Sequence, residues 1–217
     1  MAIGIPRHMW QGVGVNVTIH REPRPYMVVE DFVSREAQDT FLRGLNQNDF
    51  ERGTFREPSS TLDEASTGVV NENTEIKNNY LMKLGADDAF VNYFLERFYS
   101  DEMSSAFDRM NDQLFELLHY LNKGNFQISR YGEGGVYQNH RDYGLLAANL
   151  YLALEDKVLF KGGELFLEGI RIPFKPRTLV LFPAISRHRV GRVTSVPTEK
   201  LYHRYSLQYW PTFCNSH

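Results

Sequence analysis

The spacing of hydrophobic residues divides the chain into a first half with helical periodicity and a second half with strand-like runs. Residues 26–33 form an extended apolar segment, and Ser34 is a suitable N-cap for a helix over roughly residues 35–45, whose apolar side chains fall on one face. Over residues 87–122, apolar positions recur every three or four residues. This pattern predicts two helices, or one helix broken near Ser100.

Residues 46–80 differ from both helical segments because they are polar and contain the breakers Gly53, Pro58 and Gly68. We expect a long loop here, with at most short strands. Loops of this length in compact domains are often lids or binding loops. The segment is therefore the candidate lid.

After Gly124 the pattern changes to short runs separated by turn residues. Seven such runs follow, namely FQISRY, VYQNHRD, AANLYLAL, GELFLEG, TLVLFP, RHRVGRV and HRYSLQYW. Strand-like runs without a helical signal between them predict an antiparallel sandwich or a small barrel. The predicted fold class is α+β and mainly β, with helices packed outside a β-rich core.

Composition excludes several classes of protein. The chain is 42% hydrophobic and 13% aromatic, as in an ordinary globular protein. No apolar run approaches the ~18–20 residues that a membrane span needs, and the N-terminus lacks the apolar core of a signal peptide. A single cysteine, Cys214, excludes an internal disulfide framework and fits a reducing compartment. We therefore expect a cytoplasmic protein with no membrane partner.

Charge is unevenly distributed along the chain, although the net charge is only −3. Residues 30–116 hold 19 acidic and 8 basic side chains, a net of −11, whereas residues 171–204 hold 8 basic and 1 acidic, a net of +7. The small overall charge makes nucleic acid an unlikely partner. The basic C-terminal third is either a solvated surface or a pocket for a small anion.

Three residues form a candidate metal site. His140 and Asp142 are two apart, so on a strand both side chains lie on one face. His188, 46 residues further on, follows an apolar strand and a proline turn that return the chain to the same end of the sheet. Two histidines and one carboxylate form the facial triad of non-haem Fe(II) oxygenases. The residue types alone also suit Mn, Co or Ni.

A candidate anion site follows. Arg204 and Ser206 fall on one face of a strand, sixteen residues after His188. An arginine fork with a hydroxyl beside it is suited to hold a carboxylate through two hydrogen bonds. Tyr131, nine residues before His140, offers another donor or is simply a core residue.

In this order, the features resemble the Fe(II)/2-oxoglutarate-dependent dioxygenases of the prolyl-4-hydroxylase-like branch. The resemblance covers about residues 126–210. It runs through YGEG before the HRD motif, then NLYL, GGEL, TLVLF, HRV and RYSL, and the KNN segment at residues 77–79 is similar to one in some bacterial members.

The resemblance implies a double-stranded β-helix, or jelly roll, in a single domain over residues 1–217. A helical buttress and lid would occupy about residues 26–122, and the β-helix core about residues 124–211. The resemblance also implies roles for the candidate residues. His140, Asp142 and His188 would bind the metal, and Arg204 would bind the distal carboxylate of 2-oxoglutarate with help from Ser206 and Tyr131.

The implied activity is hydroxylation of a C–H bond with Fe(II), 2-oxoglutarate and O2, producing succinate and CO2. Ascorbate is a further reductant that the resemblance allows. Asp142 argues against halogenation, because related halogenases lack this carboxylate. We expect a peptidyl or free amino acid as substrate, with proline favoured by the resemblance, so the partner is a small molecule, a peptide or a protein. We also expect a homodimer, on the general ground that two-fold dimers are the commonest oligomers.

The sequence departs from the family pattern in one place. The prolyl-hydroxylase branch commonly has its basic residue about ten positions after the distal histidine, not sixteen. Either the connection before Arg204 is lengthened, or Arg192 or Lys200 takes its role. His203 is a rival distal ligand, but as the neighbour of Arg204 it faces the other side of the strand.

A different class of protein stays open at this point. A cupin-like metal protein, acting as an isomerase or as a non-catalytic binding module, would use the same three ligands without an oxo acid. Arg204 and Ser206 would then be ordinary strand residues.

Overall fold

The computed structural model describes residues 15–52, 61–62, 76–85, 88–121 and 123–213. Cys214 lies outside the described residues, as does most of the candidate lid. For residues 61–62 and 76–78 only the backbone is described.

Strands dominate the described chain. They are β1 Asn16–His20, β2 Tyr26–Glu30, β3 Glu51–Arg52, β4 Thr61–Leu62, β5 Ile76–Leu84, β6 Lys123–Asp142, β7 Leu146–Leu152, β8 Lys161–Gly162, β9 Leu165–Leu167, β10 Ile170–Ile172, β11 Leu179–Pro183, β12 His188–Val190, β13 Val193–Thr194 and β14 Arg204–Thr212. The helices are α1 Arg35–Gly44, α2 Ala89–Phe98, α3 Asp101–Met110 and α4 Gln113–Glu116, with 3₁₀ turns at Leu117–Tyr120, Leu154–Asp156 and Lys200–Tyr202.

The strands form two antiparallel layers that share the long strand β6. The first layer has the order β3-β5-β6-β14-β7-β11-β2-β1, in which β14 pairs with residues 123–131 of β6 and β5 pairs with positions between residues 126 and 137. The second has the order β4-β6-β12-β9-β10 and uses the C-terminal part of β6. This curled sheet is the jelly roll, so the predicted fold class is confirmed.

The helices begin at the residues that the sequence indicated. The Ser34 side chain accepts a hydrogen bond from the N–H of Ala37 and caps α1, and Ser100 caps α3 in the same way. Helices α2 and α3 are thus separate, broken at Ser100 as expected. Helix α2 packs against the first layer, where Phe94 makes edge contacts with Phe126 and Tyr209.

Three features differ from the sequence expectation. Strand β5 spans nine residues and pairs with β6, so the prediction of at most short strands up to residue 80 was wrong. Strand β5 was missed because its sequence is polar. Pairing with the neighbouring strands, and not its own hydrophobicity, holds it in the sheet. The runs FQISRY and VYQNHRD form one strand, with Gly134 at a φ of +72° between them. Strand β1 was also missed.

No helix in the described parts of the chain is both long and apolar enough to cross a membrane.

Candidate active site

Strands of the second layer bring His140, Asp142 and His188 together. His140 lies directly opposite His188 in the β6–β12 pair, and Asp142 ends β6. The potential ligand atoms of the three residues all lie within 4.8 Å of one another, and all three side chains are buried. One oxygen of Asp142 lies 3.5 Å from Nε2 of His140, and the other lies 3.5 Å from Nε2 of His188.

Backbone carbonyls orient both imidazoles. Nδ1 of His140 donates to the carbonyl of Gln138 at 2.7 Å, and Nδ1 of His188 donates to the carbonyl of Ser186 at 2.9 Å. These bonds place the proton on Nδ1 and leave Nε2 directed at the cluster, which is the arrangement typical of metal-binding histidines. The ring of Tyr137 stacks on His140 with 3.8 Å between centroids and fixes that ring further.

Two of the three cluster residues have the charge state that a bound cation requires. Burial and the nearby His188 lower the pKa of His140 to about 3, so this imidazole is neutral at physiological pH. Burial alone would raise the pKa of Asp142, but His188, His140 and Trp210 lower it, so the carboxylate is ionised. Two nitrogen donors and one anionic oxygen fit Fe(II) in a facial triad.

A second cluster surrounds Arg204 inside the barrel. Arg204 is 1% exposed, and its Nε donates to the carbonyl of Gly163 at 2.8 Å. Its guanidinium carbon lies 4.5 Å from the ring centroid of Tyr131, 5.5 Å from that of Tyr151 and 5.2 Å from that of Phe174. The cation is therefore enclosed by aromatic rings.

Two polar atoms of this cluster have no hydrogen-bond partner among the described residues. They are Nη1 of Arg204 and the hydroxyl of Tyr151. Buried donors without partners are rare and each calls for an explanation. A carboxylate placed between them would accept from both, so the donor set fits one end of a dicarboxylic acid.

Gly163 makes room for Arg204. Its φ is +78°, and a Cβ there would lie 2.7 Å from Cδ and 3.0 Å from Nε of Arg204. Only glycine combines this conformation with so close an approach. The Gly162–Gly163 pair, recognised in the sequence as part of a motif, thus has a physical role.

The structure also places the remaining predicted residues. Ser206 lies on the same face of β14 as Arg204, opposite Tyr151 of β7. Arg192 and Lys200 are exposed, so neither replaces Arg204. The lengthened connection before Arg204 contains β13 and the turn Lys200–Tyr202. His203 is bonded to the carbonyl of Pro197 and takes no part in the three-residue cluster.

The sequence prediction missed two contributors to the site. Tyr151 was not assigned to the anion site, and the β7–β14 register places it opposite Ser206. Trp210 was noted only as the end of the motif series, but its indole N–H donates to Oδ2 of Asp142 at 2.8 Å. A six-residue spacing from Arg204 puts Trp210 on the same face of β14, which is a signal available in the sequence.

Comparison with known proteins agrees with this geometry. Residues 126–212 match the family described as the 2OG-Fe(II) oxygenase superfamily. A prolyl-4-hydroxylase from Pseudomonas putida has a similar fold, with 16% identity, a TM-score of 0.54 and coverage of 87% of this chain and 92% of that one. A Phytophthora capsici prolyl 4-hydroxylase structure gives 19% identity and a TM-score of 0.51 over 88% of this chain and 59% of that one. No curated protein matches significantly.

The residues that match the 2OG-Fe(II) oxygenase superfamily, 126–212, contain both the three-residue cluster and Arg204. The protein is therefore a dioxygenase enzyme that uses Fe(II) and 2-oxoglutarate. The match favours the oxygenase over the cupin-like alternative.

Proposed function

We propose that this dioxygenase hydroxylates a C–H bond of a peptidyl or free amino acid, and that a proline residue is the first candidate. The observation that carries the assignment of the site is a pair of buried donors without partners in the part of the chain that the structure describes, Nη1 of Arg204 and the Tyr151 hydroxyl. They lie in the same barrel as the His140, Asp142 and His188 cluster.

Each residue has a distinct role in this proposal. Nε2 of His140, Nε2 of His188 and a carboxylate oxygen of Asp142 hold the iron. When bound, iron and 2-oxoglutarate would supply an oxidative decarboxylation by O2, which yields succinate and CO2 and places the second oxygen atom in the hydroxyl group of the substrate.

The anion site around Arg204 binds the end of 2-oxoglutarate that lies away from the metal. Arg204 and Tyr151 donate to its distal carboxylate, and Ser206 and Tyr131 complete the polar wall beside them. Burial of the guanidinium strengthens the ion pair, because little water is present to screen it. The aromatic rings around Arg204 also exclude water from this end of the pocket.

The proposal of an amino-acid substrate is supported by the fold comparison. The solved structures described above are prolyl 4-hydroxylases, and the similarity extends beyond the matched family region to 87% of this chain. We further propose one catalytic domain over residues 1–217 that acts in the cytoplasm. The single cysteine supports that location.

The test is to measure succinate formed from 2-oxoglutarate by the Fe(II)-loaded protein. It is run with no added substrate, with free L-proline and with a capped proline tripeptide. The proposal expects a slow basal reaction and stimulation by one of the proline compounds. Loss of stimulation with both, while the basal reaction persists, would reject the proline assignment and leave the oxygenase intact.

A further inference from the structure

The side chain of Asn79 is a buried amide without a hydrogen-bond partner. Asn79 is 1% exposed, and neither its Oδ1 nor its Nδ2 is bonded to any residue that the structure describes. Burying a polar group without a partner destabilises a protein, and most such groups are therefore paired. An amide with both atoms unpaired is thus a candidate for binding a ligand.

Its position in the sheet directs Asn79 into the barrel. Asn79 lies directly opposite Tyr131 in the β5–β6 pair, and Tyr131 lies directly opposite Arg204 in the β6–β14 pair. Residues opposed in this way project from the same face of a sheet. The next residue, Tyr80, projects from the other face, where its ring contacts Arg130. Asn79, Tyr131 and Arg204 thus form one row on the inner face.

Asn79 and Arg204 occupy opposite ends of this row. Two strand spacings separate them, which is roughly 10 Å. The Arg204 guanidinium lies over the ring of Tyr131, so Tyr131 stands between the two side chains. The distal carboxylate that Arg204 is proposed to hold therefore lies toward the end of the row opposite to Asn79.

The two unpaired atoms indicate which chemistry the site can bind. A carboxamide offers an N–H donor and a carbonyl acceptor. The co-substrate 2-oxoglutarate carries only acceptors at neutral pH, so it would leave Oδ1 unpaired. The N–H and C=O of one extended residue point to the same side of the chain and satisfy both atoms.

We propose that Asn79 binds the backbone N–H and C=O of one extended substrate residue through two hydrogen bonds and thereby selects peptidyl over free amino acids. This inference rests on the proposed function. If the target residue is proline, it has no backbone N–H of its own. The residue that follows the proline is therefore the one that Asn79 binds.

The first experiment measures thermal unfolding of the metal-free protein. Asn79→Leu replaces an unpaired amide by an apolar group of similar size, so its melting temperature should equal or exceed that of the wild type. Gln38→Met is the matched control, because Gln38 is a buried amide whose Nε2 donates to Asp156 at 3.0 Å and whose Oε1 accepts from Ala153 N–H at 3.2 Å. The control should melt about 4 °C lower or more. An equal loss in both variants would overturn the proposal.

The second experiment compares two ligands that differ in one donor. N-acetyl-L-proline N-methylamide and the corresponding methyl ester are titrated calorimetrically into protein loaded with Fe(II) and 2-oxoglutarate without oxygen. The wild type should bind the methylamide at least about tenfold more tightly, and Asn79→Leu should bind both equally. Equal affinities in the wild type, no binding of either ligand, or discrimination that survives in Asn79→Leu would each contradict the assignment.

Basal conversion of 2-oxoglutarate to succinate separates this inference from the proposed function. Asn79→Leu should keep the wild-type KM for 2-oxoglutarate within about twofold. A rise of tenfold or more would show that Asn79 contacts the co-substrate instead. Absence of basal conversion in the wild type would count against the proposed function itself.

Discussion

The indole N–H of Trp210 donates a 2.8 Å hydrogen bond to Oδ2 of Asp142, the carboxylate oxygen that lies 3.5 Å from Nε2 of His188. Trp210 belongs to β14, the strand that also carries Arg204. Strand β14 therefore carries Trp210 at the metal-binding cluster and Arg204 at the co-substrate pocket. This arrangement couples the orientation of the metal-binding carboxylate to that of the co-substrate pocket.

Replacing Trp210 by phenylalanine should weaken metal binding. The ring remains, but Asp142 loses the hydrogen bond that orients it, and loss of such a bond typically lowers metal affinity ~10-fold or more. Competition titration with a Mn(II) or Fe(II) indicator measures the effect. Tyr209→Phe is the control, because its hydroxyl bonds to Tyr99 and to the carbonyl of Lys123 on the opposite face. Equal affinities for the Trp210 variant and the wild type would refute the positioning role.

Adding a methyl group at residue 163 should impair 2-oxoglutarate binding. In Gly163→Ala the new Cβ would displace the Arg204 side chain, and alanine is strained at a φ of +78° by about 1–2 kcal/mol. Gly169→Ala has similar strain at a φ of +85° but meets no atom within 4 Å. Both variants should lose the stability that the strain costs, whereas only Gly163→Ala should raise the KM for 2-oxoglutarate. A raised KM in both would show that strain alone is responsible.

Replacing Arg204 by lysine should weaken 2-oxoglutarate binding without weakening metal binding. Arg204→Lys keeps the charge but loses the planar fork that can bond to Gly163 and a carboxylate together. We expect the KM for 2-oxoglutarate to rise ~10- to 100-fold, the equivalent of about 1.5–3 kcal/mol for a charge-assisted bond, with Fe(II) affinity unchanged. The matched change at the exposed Arg192, also to lysine, should alter neither value. A loss of Fe(II) affinity in Arg204→Lys would argue against separate sites.

Metal binding should stabilise the fold through the three buried ligands. A metal at 100 times its Kd adds about 2.7 kcal/mol to the free energy of unfolding. Chelation with EDTA should therefore lower the melting temperature of the wild type and leave His188→Ala unchanged. His119→Ala removes an exposed histidine paired with Asp108 and should respond to EDTA like the wild type. A response of His188→Ala equal to that of the wild type would place the metal elsewhere.

The parts of the fold that the sequence predicted are those encoded locally. Ser34 and Ser100 begin helices because their side chains bond to nearby backbone N–H groups, and both positions are readable from a few residues. The HRD motif predicted a shared face because side chains alternate along any strand. Such signals can be read without knowing which residues far apart in the sequence are in contact in the fold.

The missed features depend on contacts distant in the sequence. Strand β5 has the polar sequence IKNNYLMKL, and its pairing with β6 places it in the sheet. Tyr151 reads as one apolar strand residue among several, and only the β7–β14 register brings it to Arg204. The sequence likewise does not show that the Asn79 amide lacks a partner among the described residues, because this depends on the alignment of three strands.

The most direct test of the assigned site is an anaerobic titration of the metal-free protein with Fe(II) and then 2-oxoglutarate, followed by visible absorption. Chelation of the iron by 2-oxoglutarate produces a weak metal-to-ligand charge-transfer band. We expect this band in the wild type, its loss in His188→Ala, and its appearance only at much higher 2-oxoglutarate concentration in Arg204→Lys. Binding of Fe(II) by the wild type without any such band would contradict the account.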